Sequence, residues 1–433
     1  MWYFNLKQSG DYSIWVNYDL LEDVDQKALI YDDQYSDHEV ALRDLAYQAL
    51  QKGITSFDTS KRLVMSEEPS IADNYRFIRK YFNAGWANFI FLIRLLSFVN
   101  VVKEIKGYRK ASQTRKVNVF ATNTSVGKPR QMTSSLLSQN PKVSVIIPTL
   151  NRYKYLKDVL EDLEKQTYTN FEVLICDQTS PVNEEFYKSF AVDIKLFIEK
   201  EKALWKARNL CVRESSGEYM LLFDDDSRVD PDWIEQHLRC IDAYNVEISS
   251  GISLSTVGAR IPENYSYYRW GDQLDTGNAM VHRSVFEKVG LFDRQFEKQR
   301  MGDGEFGLRC YLAGIKNISN PDAKRIHLKV SDGGLRQMGS WDAFRPKKTF
   351  SPRPIPSVLY LARKYFGGQH ARYLLITRLP PSLVPYKFKS HRLYNYLSFP
   401  VFIFILPIVF WQVVKSWRVA SRMLKEGAKI EKL

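Results

Sequence analysis

From residue 142 onward, short apolar runs alternate with stretches of helical period, and this alternation limits the possible folds more than any other feature of the chain. "KVSVIIP" (142–148) is β-branched and closed by Pro148, and "YLKDVLEDLEKQ" then sets Leu156, Val159, Leu160 and Leu163 on one helical face. "FEVLIC" (171–176), "IKLFI" and "YMLLF" read as further strands, with a helix over "ALWKARNLCVRES" between the last two. Strands spaced by helices predict an α/β fold with a mostly parallel, doubly wound sheet. In such sheets ligands sit beyond the carboxyl ends of the strands. The loops "PTLNR" (148–152), "DQTS" (177–180) and "DDDSR" (224–228) are therefore expected to converge.

The stretch "YMLLFDDDSRVDPDW" runs apolar residues straight into Asp224, Asp225 and Asp226. Adjacent carboxylates raise one another's pKa unless something positive offsets them, and a divalent cation bound through oxygen ligands is one resolution. The plainer alternative, helix capping, accounts for Asp230 before Pro231 but not for the triplet. Lys206 and Arg208 lie at the start of the preceding helix, where two cations and a positive helix end favour a diphosphate. A second acidic group, Asp303 and Glu305 in "MGDGEFGLRCYLAG", opens a later helix, where an N-cap is the competing explanation for Asp303. His327 in "KRIHLKVSDGG" follows a strand-like segment; taken alone it reads as readily as a structural histidine.

Composition bounds the rest. With 45% apolar and 14% aromatic residues in 433, the chain buries a core and has room for two or three domains. Cys176, Cys211, Cys240 and Cys310 have neither CxxC spacing nor the density of a disulfide framework, and are read as reduced thiols in a cytosolic compartment. The first residues, "MWYFNLKQSGDYSIW", lack the pattern of a secretory signal. The net charge of +13 resides in the tail: from 331 to 433, 18 Lys and Arg stand against 4 Asp and Glu. Residues 1–110 form an N-terminal segment without an evident role, partly helical, in which Arg94 argues against a membrane span. Residues 111–140, rich in Ser, Thr, Asn and Gln, read as a linker; 141–335 form the α/β domain and 336–433 a basic, aromatic C-terminal region.

Seven segments, "VSVIIPTLNR", "FEVLICDQTS", "ARN", "GEYMLLFDDDSRVDPDWI", "TGNAMVHRSVFEKVGLFD", "GDGEFGLR" and "IHL", occur in the order and spacing of family 2 glycosyltransferases of the GT-A fold, which the chain resembles over about 141–330. The resemblance implies an inverting transferase that uses a nucleotide-diphosphate sugar and Mg2+ or Mn2+. It places Pro148, Thr149, Asn151, Arg152 and Asp177 on the nucleoside side, with Lys206, Arg208, Asp224 and Asp225 bordering the nucleotide sugar. It makes Asp226 the foremost metal ligand, with Asp224 and His327 beside it, Asp303 the catalytic base, and Asn278 and Glu305 neighbours of the sugar and acceptor. Gln178 stands where the family usually has a second acid, and Gly302-Asp303 replaces a Glu-Asp pair. "RQMGSW" (336–341) lacks the arginine of the processive synthases' QxxRW motif, so single-sugar transfer to a saccharide or lipid-linked acceptor is expected, as in cell-surface polysaccharide or glycolipid assembly. A nucleotidyltransferase would share sheet and carboxylates, but the Gly-rich phosphate loop is missing after "VSVIIP". The other alternative is a catalytically silent scaffold. No partnership with nucleic acid is expected.

In the tail, "LSFPVFIFILPIVFWQVV" (397–414) is 18 residues without a charge. Its length permits a span. Pro400 and Pro407 interrupt it, however, and both flanks are basic, which favours a re-entrant or in-plane helix on the cytoplasmic face of a membrane.

Overall fold

In the structure, a computed structural model, residues 11–61, 68–97, 100–120, 134–255, 261–330, 333–335, 343–346, 348–385, 388 and 392–433 are described. They divide into two compact units: Met1–Thr133 with Arg260–Asp272 and Tyr311–Pro321, and Ser134–Ala259 with Gln273–Cys310 and Asp322–Leu433.

The first unit contains α1 (Asp23–Lys27), α2 (His38–Lys52), α3 (Ile71–Tyr81), α4 (Ala84–Leu96) and α5 (Val101–Lys110). Asp37 caps α2 by accepting from the Glu39 N–H, and Gly53 ends it at φ 71°, a conformation that costs glycine little. Leu45, Ala46 and Ala49 on α2 are buried with Val16, Leu29 and Ile54. Ser70 and Asp73 start α3 with a reciprocal capping box. Arg94 does not face lipid or water alone: it pairs at 2.7 Å with Glu104, which is fully buried. The Tyr12 hydroxyl donates to the carbonyls of Gly271 (2.8 Å) and Asn317 (2.9 Å), and its ring meets Trp270 and Tyr311 edge-on. The segment left without a role thus builds a core with two excursions from the α/β sequence, and the first stretch of this unit ends at Thr133, within the 111–140 expected as a linker. Of that expected linker, residues 121–133 lie outside the described residues; α6 (Ser135–Gln139) is capped by Ser134 and held by Asp242.

In the second unit and the strands that continue it, β1 (Val143–Thr149), α7 (Tyr153–Glu164), β2 (Phe171–Asp177), α8 (Glu184–Tyr187), β3 (Ile194–Ile198), α9 (Leu204–Glu214) and β4 (Tyr219–Phe223) follow the expected alternation. After them come β5 (Ser227–Val229), α10 (Trp233–Tyr244), β6 (Ile248–Ser255), β7 (Arg269–Trp270), β8 (Asn278–His282), α11 (Arg283–Val289), α12 (Gly302–Leu312) and β9 (Asn317–His327). The sheet order is β3-β2-β1-β4-β8-β6-β9-β5, with β7 on β9. The first four strands are parallel; β8 pairs antiparallel with β4 and β6, and β9 antiparallel with β5 and β7. The fold is α/β as expected, but the sheet is mixed, because the runs after residue 226 return beside their neighbours without a helical crossover of the first kind. Leu156, Val159, Leu160 and Leu163 of α7 are all buried, and so is every residue of β1 and β4. Each such aliphatic side chain contributes roughly 1.5–3 kcal/mol. Register brings Thr149 opposite Asp177 and Phe223 opposite Asn278, so the strand ends that carry the candidate residues are level.

The chain closes with α13 (Pro356–Arg378), interrupted at Gly367, then α14 (Arg392–Phe404) and α15 (Leu406–Glu426). These helices belong to the same unit as the sheet, so no boundary falls at 335. The uncharged stretch 397–414 is broken at Ile405, and Pro407 sits in the first turn of α15, where its missing N–H costs nothing. Among the described residues no helix is long and apolar enough to cross a membrane. "RQMGSW" lies outside them.

Candidate active site

The three strand-end loops converge. Gln178 N–H donates to the Thr149 carbonyl (3.0 Å), Asn151 N–H donates to Thr179 Oγ1 (2.8 Å), and Thr149 Oγ1 donates to Asp225 Oδ2 (2.8 Å). Asn151 takes φ 54°, a left-handed conformation that Asn tolerates better than most residues, and lets the chain turn from β1, where Pro148 pairs with Cys176, into α7.

Three arginines answer the repulsion within the acidic triplet. Asp224 Oδ1 accepts from Arg208 Nη2 (2.8 Å) and Oδ2 from Arg325 Nη1 (2.9 Å); both guanidiniums are fully buried. Arg208 also donates to the Thr276 hydroxyl, and Arg325 to Asp275 Oδ2 (2.7 Å). Asp225 accepts from Arg152 Nη1 at 2.8 Å, and the same nitrogen lies 3.3 Å from Asp226 Oδ2. Burial raises the Asp225 carboxyl to about 6; Arg152 and Thr149 act against the rise and Asp226 adds to it. Asp226 is the least neutralised of the three. Its remaining partner is His327 Nε2, 3.3 Å from Oδ1, on the strand that pairs with Ser227.

Asp224, Asp226 and His327 can each turn one ligand atom to within 4.8 Å of the others, so the residues fit a metal ion. They do not fit it equally. Both oxygens of Asp224 are already held by buried guanidiniums, whereas Asp226 and His327 meet only at 3.3 Å, beyond a good hydrogen bond. Four carboxylates, counting Asp275, face three guanidiniums, and this excess of negative charge favours a cation at Asp226 and His327.

Several residues named from the resemblance are placed elsewhere. Asn278 is fully buried and its amide is spent: Oδ1 accepts from Trp233 Nε1 (2.8 Å) and lies 3.1 Å from His237 Nε2, while Nδ2 donates to the carbonyls of Ile252 and Ala323. It therefore locks β8 to α10 and its neighbouring strands instead of facing a sugar. Glu305 is likewise fully buried, bonded by Lys364 (3.1 Å), Tyr365 (2.6 Å) and Arg309 (3.2 Å). Burial pushes its carboxyl up, yet Arg309 and Lys364 hold it below the usual range. It ties α12 to α13. The Lys206 ammonium pairs with Glu199 (2.8 Å) and Glu201 (3.1 Å), which keep it off the carboxylate cluster; Arg208 alone of that pair reaches it. Asp177 is buried, with Oδ2 accepting from Tyr153 (2.6 Å) and Tyr187 (2.8 Å) and Oδ1 from the Thr179 N–H. Asp303 is half-buried in the first turn of α12 and accepts from the Gly304 N–H (2.8 Å).

Sequence reasoning passed over Arg325, Asp275 and Gly277. Arg325 and His327 are two apart on β9, so strand alternation puts them on one face, a signal that was available. A Cβ at Gly277 would lie 2.2 Å from Arg325 Nη1 and 2.3 Å from Asp224 Oδ2, so only glycine admits that pair.

An α/β sheet whose aligned strand ends carry a carboxylate cluster places its candidate site where such sheets bind ligands. Residues 144–290 match the family model described as glycosyl transferase family 2. It is 30% identical over 165 residues to the glycosyltransferase GlyA of Streptococcus pneumoniae serotype 4, which is 37% of this chain and 22% of that protein. It is 31% identical over 127 residues to chondroitin synthase of Escherichia coli, covering 28% and 18% of the two chains. The chain thus spans about a fifth of the length of these two curated relatives. Among solved structures, S. aureus TarS 1–349 in complex with UDP-GlcNAc aligns over 66% of this chain and 92% of that one, with 15% identity and a TM-score of 0.45.

Proposed function

We propose that the chain moves one sugar from a nucleotide-diphosphate sugar to a hydroxyl of a saccharide or lipid-linked acceptor, with inversion at the anomeric carbon. The observation that supports it most is the under-neutralised Asp226 beside His327, within a family 2 glycosyltransferase domain. Asp226 and His327 would hold Mg2+ or Mn2+, which when bound offsets the charge that develops on the leaving diphosphate. Thr149, Asn151 and Arg152 border the donor from the β1 loop. Asp177, clamped by two tyrosines, fixes the neighbouring loop rather than offering a free carboxylate to the base. A sugar hydroxyl is a weak nucleophile, and Asp303, partly open at a helix start, takes its proton as it attacks. With the Lys206 ammonium held by Glu199 and Glu201, Arg152 is the cationic side chain beside Asp226, and a bound metal would add to it.

The test is a panel of nucleotide sugars, each with Mn2+, Mg2+ or chelator, read first as a thermal shift and then as nucleotide released with and without saccharide acceptors. A metal-dependent shift from at least one donor, lost in Asp226→Asn, is expected. Stabilisation that is indifferent to chelator, or that survives in Asp226→Asn, would overturn the reading.

A further inference from the structure

One exposed stripe of α15 runs Ile408, Trp411, Lys415, Arg418, Arg422, Lys425, at steps of three and four residues; the opposite stripe, Val409, Gln412, Ser416, Ala420 and Met423, is buried. The exposed stripe is apolar at its start and cationic from Lys415 onward. Where it begins, the helical run is interrupted at Ile405, and around that break Phe404 is 88% exposed, Ile403 70% and Phe410 66%. Such a cluster of large apolar side chains in water marks an interaction surface. From 356 to 426 the sole acidic residue is Glu426. No carboxylate among the described residues pairs with Arg418, Arg422 or Arg372. Between α13 and α15 an open groove of about 390 Å3 is floored by Leu375, Val413, Val414 and Trp417 and flanked by Arg372 and Arg418.

We infer that the α14–α15 break docks on an anionic lipid bilayer, laying its apolar side chains into the headgroup–acyl boundary while Arg418, Arg422 and Arg372 hold lipid phosphates. Aromatic residues beside lysine and arginine suit that boundary, where one end of the surface is dry and the other wet. Charge selects the occupant. A second copy of the chain would set the same unbalanced cations against themselves across a twofold interface, whereas a bilayer with acidic headgroups neutralises them. The break at Ile405 decides the mode: the uncharged stretch lies in the interface as two short pieces and does not cross. The docking is independent of whether the chain transfers sugar.

Flotation of the full chain with phosphatidylcholine vesicles, with and without roughly one third phosphatidylglycerol, tests it, since each Lys or Arg near an acidic surface contributes about fivefold in binding. Binding to the acidic vesicles is expected, falling at least about tenfold on neutral ones and at high salt. Phe404→Glu with Phe410→Glu is expected to reduce it by at least about tenfold. The melting temperature should not change, because both side chains are exposed. Arg418→Glu with Arg422→Glu should weaken acidic-vesicle binding and leave the residual neutral binding alone. Absence of flotation with acidic vesicles, or equal flotation with both, overturns the inference. So does self-association in sedimentation velocity that Phe404→Glu abolishes, since a second copy then covers this apolar cluster.

Discussion

Asp303 and Asp226 separate the two halves of the proposed chemistry, and single substitutions at each should behave differently. Asp303→Asn keeps the shape of the α12 start, so donor binding is expected to stay near wild type while transfer falls by about a hundredfold or more, the contribution of a general base. Steady-state assays beside calorimetry with the donor check this; transfer above about a tenth of wild type would put the base elsewhere. Arg325 makes a different case. It is 1% exposed and bonds Asp224, Asp275, Ser227 and Ser253. Arg325→Met leaves Asp224 half-compensated in the interior, and a loss of about 3–5 kcal/mol in urea unfolding is expected. The double-mutant cycle with Asp224→Asn should show coupling of at least about 1 kcal/mol, because the two side chains share a contact. At this scale His237 is informative too. Asn278 Oδ1 can only accept, so His237 Nε2 donates and Nδ1 accepts from Ser249, which is the neutral ring; burial lowers its pKa to about 4.

Between elements, buried charges act as ties. Glu172 on β2 is fully buried and accepts from Ser144 on β1, the Ser216 N–H, Lys195 on β3 (2.7 Å) and Lys142 (3.1 Å), all toward the end of the sheet away from the candidate site. Burial alone would raise this carboxyl, yet the hydrogen bonds from Lys195, Ser144, Ser216 and Lys142 bring it to about 2. A folded-state pKa below the unfolded one means the stabilisation is present above pH ~4.5 and is lost as pH falls toward 2, up to roughly 3 kcal/mol. Urea midpoints measured at pH 5 and pH 3 should therefore drop less in Glu172→Gln than in wild type; an identical acid dependence would remove Glu172 from the account. Glu305 ties α12 to α13 in the same manner. Glu305→Gln is expected to lower stability by about 2 kcal/mol, through weakened bonds to Lys364 and Arg309, while leaving more than about a tenth of the transfer rate. That pattern is the reverse of the one expected for Asp303→Asn, so the pair distinguishes a tie from a base.

At the scale of the whole molecule, the first unit is assembled from three separated stretches of chain. Tyr12 sits among Trp270, Tyr311, Gly271 and Asn317, and Trp270 Nε1 donates to the Thr55 carbonyl. A chain beginning at residue 134 would strip those aromatic rings of their cover. It is expected to aggregate, or to unfold with a lower and broader transition than the full chain, as read by scanning calorimetry and light scattering. A truncated chain that melts as sharply and as high as the intact one would show that residues 1–133 are dispensable to the rest.

The sequence by itself determined the parallel half of the sheet, the apolar face of α7 and the convergence of three loops, because each rests on short-range periodicity and on the rule that parallel strands point their ends the same way. It marked the acidic run 224–226 on a different ground, since adjacent carboxylates need an offset wherever it comes from, while Asp226 as foremost ligand and His327 beside it came from the family resemblance. Only the tertiary structure decided what supplies it. Arg152, Arg208 and Arg325 come from sites up to 173 residues apart in the chain and meet at one triplet. Nothing local distinguishes a guanidinium that will be buried on a carboxylate from one that stays in water. The same holds for Asn278 and Glu305, whose motifs resemble site residues but whose side chains are consumed by long-range partners. It holds again for residues 397–414, where length permits a span and the structure interrupts the helical run at Ile405.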